Sequence, residues 1–332
     1  MICVAVVGVG YWGPNLVRNL YKISGCVVKY CCDLDEKKLK NISLEYPTIK
    51  ITTSYDEILN DSEIDAVVIA TPVFSHFSLT KKALLAKKHC LIEKPMTYKL
   101  EEAEELLKIA KEKNLIIMVD HTFIYTGAVQ KIKEMVKSGD LGKIYYFDSQ
   151  RLNLGIIQPD VNVLWDLAPH DISIMNYVFN TNPISVTAVG SSHIQNKLEE
   201  MVHITVKYPN NLIGHIHVSW LSPVKIRQIL IGGFKKMILF DDLSPSEKIK
   251  VYDKGIDINL SSETTLNPIY RSGDIYIPKI DQTEALLKEC QHFIDCLNGK
   301  TQPIVSGEDG LNVVKILVSA EKSLRLNREI YL

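Results

Sequence analysis

Short apolar runs alternate with helical periodicities through the first 120 residues. The runs at 2–7, 27–32, 66–70, 89–92 and 115–119 are almost continuously apolar and end in turn residues. That is the pattern of strands buried on both faces of a parallel sheet. Between them, Leu16, Val17, Leu20 and Tyr21 recur at helical spacing, as do Leu79, Ala83, Leu84 and Ala86. The stretch 100–113 places Ala103, Leu106, Leu107 and Ala110 on one face and Glu and Lys on the other, which predicts an amphipathic helix with a solvated outer side. Strand–helix alternation of this kind predicts an α/β domain over 1–120, built on a doubly wound parallel sheet.

Beyond residue 121 the pattern changes. Helices are expected at 128–137, ending at Ser138-Gly139, and from about 169 to 179. Strands follow in succession at 185–194, 201–208, 212–221, 225–231 and 235–240, after an earlier one at 144–152. Turn residues at Pro209-Asn210-Asn211 and Gly232-Gly233 mark antiparallel hairpins. Helical patterns return at 283–297 and 307–326. The second domain, 121–332, is therefore expected to be α+β with a large, mostly antiparallel sheet.

Val202, Ile204 and Val206 share a strand face that matches Ile216 and Val218. This register sends His203, His215 and His217 to the opposite face. Three histidines raise the question of a metal, but no carboxylate or cysteine stands at ligand spacing, so no metal site is assigned. A broad sheet face of this kind is better covered by a second subunit, giving a homodimer or homotetramer.

Charge and cysteine usage narrow the partners. The formal net charge is −1, which offers no basic footprint for nucleic acid or a membrane surface, so a small-molecule substrate is expected. No run approaches the roughly 20 apolar residues of a membrane span. The apolar start leads directly into a glycine turn rather than a signal-peptide layout. The seven cysteines form no CxxC pair and read as free thiols in a reducing cytoplasm.

The candidate chemistry begins at Gly8-Val9-Gly10-Tyr11-Trp12-Gly13, a GxGxxG loop between a predicted strand and a predicted helix. Gly8 would allow the tight turn, Gly10 the approach of backbone N–H groups to a pyrophosphate, and Gly13 the packing of helix on strand. Asp33 ends the next strand, 20 residues past the third glycine, where a carboxylate accepts the ribose hydroxyls and repels a 2′-phosphate. No Arg follows it, so NAD is expected over NADP. Tyr11 and Trp12 belong to this cofactor loop as packing residues. Glu93-Lys94-Pro95 lies at the C-terminal end of a strand, the edge where open α/β sheets bind ligands. Asp166 and His170 stand at i and i+4, so a continuous helix would put them on one face, although Asp166 could equally be an N-cap. Histidine titrates near neutrality and a carboxylate can orient it as a base.

In this order, GxGxxG, Asp33, Ala70-Thr71-Pro72 with His76, Glu93-Lys94-Pro95, and Leu164-Trp165-Asp166-Leu167-Ala168-Pro169-His170-Asp171 resemble the glucose–fructose oxidoreductase/inositol dehydrogenase (Gfo/Idh/MocA) family, over essentially the whole chain. The resemblance implies an NAD-dependent oxidoreductase acting on a sugar CH–OH. It implies Lys94 and His170 as the proton-transfer residues, with Asp166 shaping the sugar site. Thr71, Pro72, His76, Glu93 and Lys94 are implied on the cofactor side. Which of Lys94 and His170 is the base stays open.

Within the family, the stretches 10–19, 121–127, 153–155 and 158–163 are similar to the branch acting on nucleotide-linked amino sugars. That branch oxidises the C3 hydroxyl of a UDP-linked N-acetylamino sugar to a ketone, which a PLP aminotransferase then aminates. Arg151 is a candidate for the diphosphate, and equally for a salt bridge at a sheet end. Tyr125 and Asn153 are candidates for sugar hydroxyls, and Trp165 is expected to pack beside the site. Two other readings keep the motifs, a 3-keto nucleotide-sugar reductase and an inositol or free-sugar dehydrogenase. A non-catalytic NAD sensor would keep the glycine loop and Asp33 but lose the proton-transfer residues, whereas Lys94 and His170 are both present.

Overall fold

A computed structural model describes residues 1–195, 198–260 and 266–332. The chain divides into two compact units, Met1–Tyr125 with Thr283–Lys315, and Thr126–Gln282 with Ile316–Leu332. The first unit thus takes in a C-terminal segment that a single cut near residue 120 leaves in the second domain.

The first unit begins β1 (Ile2–Val7), α1 (Gly13–Tyr21), β2 (Cys26–Cys32), α2 (Glu36–Glu45), β3 (Lys50–Thr52), α3 (Tyr55–Asn60) and β4 (Ala66–Ile69). It continues through α4 (Val73–Leu85), β5 (His89–Glu93), α5 (Leu100–Lys113) and β6 (Ile117–Asp120). The strand order is β3-β2-β1-β4-β5-β6, all parallel, so the chain starts in the middle of the sheet and winds outward both ways. All four residues of β4 and of β6 are buried, as strands covered on both faces require. The α5 expectation holds to the residue, and Asn114 closes that helix in the left-handed conformation. The elements α2, α3 and β3 are short or polar and left no clear periodic signal.

The second unit starts with α6 (Gly127–Lys137), β7 (Ile144–Leu154), α7 (Val163–Phe179), β8 (Ser185–Ser191), β9 (Met201–Lys207) and β10 (Ile213–Ser219). It goes on through β11 (Leu221–Gly233), β12 (Met237–Asp241), β13 (Ile249–Leu260) and β14 (Leu266–Tyr276). After α8 (Ala285–Leu297) and α9 (Gly307–Leu326), β15 (Ile330–Tyr331) closes the sheet. Its order is β14-β13-β12-β11-β7-β10-β9-β8-β15, and among the described residues only β7 and β10 pair in parallel.

Two sequence expectations are corrected here. Helix α7 begins at Val163, not near residue 169, because Asn162 caps it: the Asn162 Oδ1 accepts from the Trp165 N–H at 3.3 Å. Pro169 is tolerated inside. The strand expected at 212–221 is β10 and ends at Ser219, whereas the one expected at 225–231 is longer at both ends, running as β11 from Leu221 to Gly233 with an irregularity between Leu221 and Ile226.

The predicted register holds at the centre of this sheet. His217 faces His203 and Ile216 faces Ile204. Val202, Ile204, Val206, Ile216 and Val218 are buried, whereas His203 and His215 are exposed. The His203 and His217 rings stack at 3.9 Å, and the His215 ring meets the Thr205 hydroxyl. No helix among the described residues is long and apolar enough to cross a membrane.

Candidate active site

The glycine loop leaves β1 in a conformation that its neighbours dictate. Gly8 has φ +90°, and a Cβ there would lie 2.5 Å from the Ala70 carbonyl oxygen. A Cβ on Gly13 would lie 2.0 Å from the Gly8 carbonyl oxygen, so α1 can start this close to β1 only from glycine. Gly10 differs, since a Cβ there would meet nothing within 4 Å. No packing within the chain demands glycine at Gly10; a side chain would project into the open space in front of the loop. Bare backbone there fits a pyrophosphate drawn in toward the N-terminus of α1.

Asp33 stands at the end of β2 and braces the same loop. Its Oδ2 accepts from the Val9 N–H at 2.8 Å and its Oδ1 from the Asp35 N–H at 2.9 Å. A carboxylate accepts about four hydrogen bonds in all, so both oxygens retain capacity for ribose hydroxyls. These residues fit NAD.

The turn after β4 and the turn after β5 are joined by one buried ring. His76 on α4 is 1% exposed; its Nε2 lies 2.7 Å from the Thr71 carbonyl oxygen and its Nδ1 2.9 Å from the Pro95 carbonyl oxygen. Carbonyl oxygens only accept, so a neutral imidazole donates to one of them at a time. Burial lowers the basicity of the ring, and the nearby Lys94 charge lowers it further. His76 thus ties the Thr71 turn to the Pro95 turn. Pro72 is the residue preceding α4, and the Thr71 hydroxyl accepts from the Ser75 hydroxyl at 2.7 Å. The Lys94–Pro95 peptide is cis.

Three acids, Asp120, Glu93 and Glu289, influence one another. Asp120, at the end of β6 and 2% exposed, accepts from the Trp12 indole N–H at 2.7 Å and from the Thr122 hydroxyl. Burial, the Asp120 charge and hydrogen bonding to Asp120 push Glu93 well above the usual carboxylate range, against the pull of Lys94. Glu289 on α8 is fully buried, and burial and then the Asp120 charge push it up in the same way. His121 is pushed down to about 4 by burial, and neither of its ring nitrogens has a hydrogen-bond partner among the described residues. Sequence reasoning named Trp12 and Glu93 but missed Asp120 and Glu289. The signal was present: Glu289 interrupts the apolar stripe of α8 formed by Leu286, Cys290 and Phe293. Tyr125 is also buried, its ring tilted against His292 at 5.8 Å, so it is a core residue of the first unit rather than an open polar contact.

In the second unit, α7 carries both remaining candidates. Asp166 and His170 are half-buried on one face of the helix, one turn apart. The Trp220 indole N–H donates to Asp166 Oδ2 at 3.0 Å, fixing that carboxylate from the end of β10. The next residue on α7, Asp171, is clamped to the sheet. The Arg151 Nε donates to Asp171 Oδ2 at 2.7 Å, its second nitrogen to Oδ1 at 3.2 Å, and the Ser149 hydroxyl to Oδ1 at 2.7 Å. Arg151 is 5% exposed. Of its two sequence readings the geometry takes the salt bridge, because a guanidinium forked onto a buried carboxylate is not displayed to a diphosphate. Trp165 is buried, as expected of a packing residue, with its indole N–H on Glu321 Oε1 at 3.3 Å. Asn153 lies on the outgoing end of β7.

Comparison with known proteins places both units. Residues 2–121 match the model of an oxidoreductase family with an NAD-binding Rossmann fold (GFO_IDH_MocA), and residues 129–238 match the GFO/IDH/MocA C-terminal domain. Among curated relatives, a UDP-N-acetylglucosamine 3-dehydrogenase of Acidithiobacillus ferrooxidans is 29% identical over 75% of this chain and 76% of its own. A myo-inositol 2-dehydrogenase of Thermotoga maritima is 23% identical over 99% of this chain and 98% of its own. The solved structure of the Acidithiobacillus ferrooxidans UDP-N-acetylglucosamine 3-dehydrogenase superposes with a TM-score of 0.82 at 22% identity, covering 98% of each chain.

Proposed function

The chain belongs to the Gfo/Idh/MocA family of NAD-binding oxidoreductases, and from that premise we propose that it oxidises the C3 hydroxyl of a UDP-linked N-acetylamino sugar to the 3-keto sugar. Bound NAD supplies the acceptor for the hydride that leaves C3. Lys94 and His170 are the residues proposed to take up the hydroxyl proton, and Asp166 to orient the sugar. The Arg151–Asp171–Ser149 clamp serves the reaction indirectly, by holding the helix on which Asp166 and His170 stand. The product is a ketone of the kind that a PLP aminotransferase consumes.

The observation that carries the choice of substrate is the 29% identity to a UDP-N-acetylglucosamine 3-dehydrogenase across three quarters of both chains. An inositol or free-sugar dehydrogenase is the second reading, favoured by the relative whose likeness covers nearly the full length. Deuterium at C3 separates the two. With UDP-N-acetylglucosamine deuterated at C3, the reading predicts that the label passes to the reduced cofactor, detected by mass spectrometry, with slowed turnover. Reduced cofactor free of label would exclude C3 as the hydride donor.

A further inference from the structure

The bond between Trp12 and Asp120 ties the glycine loop to the far side of the sheet. Trp12 lies in the loop after β1, whereas Asp120 ends β6, at the edge of the strand order β3-β2-β1-β4-β5-β6. The two are 108 residues apart in sequence, and their side chains meet at 2.7 Å. Nothing in the packing of the loop requires this reach. Gly8 and Gly13 already fix its ends, while Tyr11 beside Trp12 is 94% exposed. What the bond fixes is Trp12, the residue that caps α1 two positions after Gly10, which faces open space.

The acceptor is built at a cost. Asp120 is 2% exposed, with Glu93 and Glu289 around it and His121 next in sequence, both ring nitrogens of the latter lacking a partner. Cys290 follows Glu289 on α8, and Lys94 is the cation whose charge acts on both Glu93 and His121. A buried carboxylate held by an indole N–H and a hydroxyl, among acids that would repel its charge if ionised, is expensive unless it has a task.

We infer that Asp120 is a positioning residue for cofactor binding: by holding the Trp12 indole it presets the glycine loop for NAD, and Glu289, reaching in from α8, walls off the carboxylate from water. The preset loop loses less conformational freedom when it closes on the pyrophosphate, and affinity rises accordingly. This rests on NAD binding, not on the identity of the sugar, and its test needs neither substrate nor turnover.

The test is a double-mutant cycle on NAD affinity, measured by calorimetry on the full chain. Trp12→Phe and Asp120→Ala should each weaken NAD about ten-fold, the scale of a lost hydrogen bond to a charged group. The double variant should be no weaker than either single, because both remove the same bond. Asp120→Asn, whose amide oxygen can still accept from the indole, should recover most of the affinity. In tryptophan emission, Asp120→Ala should shift the component that Trp12→Phe abolishes. A purely structural Asp120 predicts otherwise: a lower melting temperature, unchanged NAD affinity in Trp12→Phe, and effects that multiply in the double variant. Either unchanged affinity in Trp12→Phe or multiplying effects would overturn the inference. Trp12→Phe leaves the buried acids intact, so that arm decides the matter even if Asp120→Ala does not fold.

Discussion

At the residue scale, the first unit carries acids where burial does not favour charge. Glu289 is held well above the usual carboxylate range by burial and the Asp120 charge. Its proton is kept in the folded chain at pH values where the unfolded chain releases it. Stability therefore falls as pH rises from the ordinary carboxylate value of about 4.3 toward the raised one, by up to about 1.4 kcal/mol per pH unit for one proton. Glu289→Gln removes that proton from the balance. Thermal unfolding followed between pH 5 and 8 should show the variant gaining on the wild type as pH rises, and parallel curves would contradict the assignment. Some of this was legible in the sequence and some was not. Each glycine of the loop announced its place through spacing and context, and Asp33 through its distance from them. Asp120 did not, since an acid at the end of an apolar strand reads as solvated, and Glu289 showed itself only as a break in an apolar stripe, with nothing to name its partner 169 residues away. Arg151 shows the converse: its type suggested a ligand anion, and its register beside Ser149 on β7 gave it Asp171 instead.

At the scale of elements, periodicity served well wherever one face dominated. Helix α5 was legible to the residue and the β9–β10 register to the side of each side chain. Helix α7 was not, because Pro169 looks like a first-turn proline and hid the six helical residues before it. Those residues include Asp166, so the true start decides that Asp166 and His170 share a continuous helix. The start depends on Asn162, whose side chain caps the Trp165 N–H and also donates to Glu199 Oε2 at 2.7 Å. Asn162→Ala should cost about 1 kcal/mol of stability through the lost cap. Urea unfolding midpoints measure it; an unchanged midpoint would mean that sheet packing alone sets the start of α7. The C-terminal helix α8 was legible as a helix, but not as part of the first unit, because its apolar stripe does not say which surface it covers.

On the scale of the whole molecule, the chain is an oxidoreductase of a family whose N-terminal unit binds NAD. The two units carry different groups: the first a glycine loop braced by Asp33 and a lysine at a strand end, the second a helix bearing Asp166 and His170. The most direct test of the proposed function follows NADH absorbance with NAD and UDP-N-acetylglucosamine, adding a PLP aminotransferase and glutamate to draw off the ketone, with UDP-glucuronic-type sugars and myo-inositol alongside. Lys94→Ala and His170→Ala are run under the same conditions, with NAD affinity measured in each. The expected result is NADH from UDP-N-acetylglucosamine, a loss of at least about 100-fold in turnover in each variant, and NAD affinity close to wild type in His170→Ala. NADH formed only with inositol or a free sugar would contradict the substrate, and undiminished turnover in both variants would contradict the mechanism.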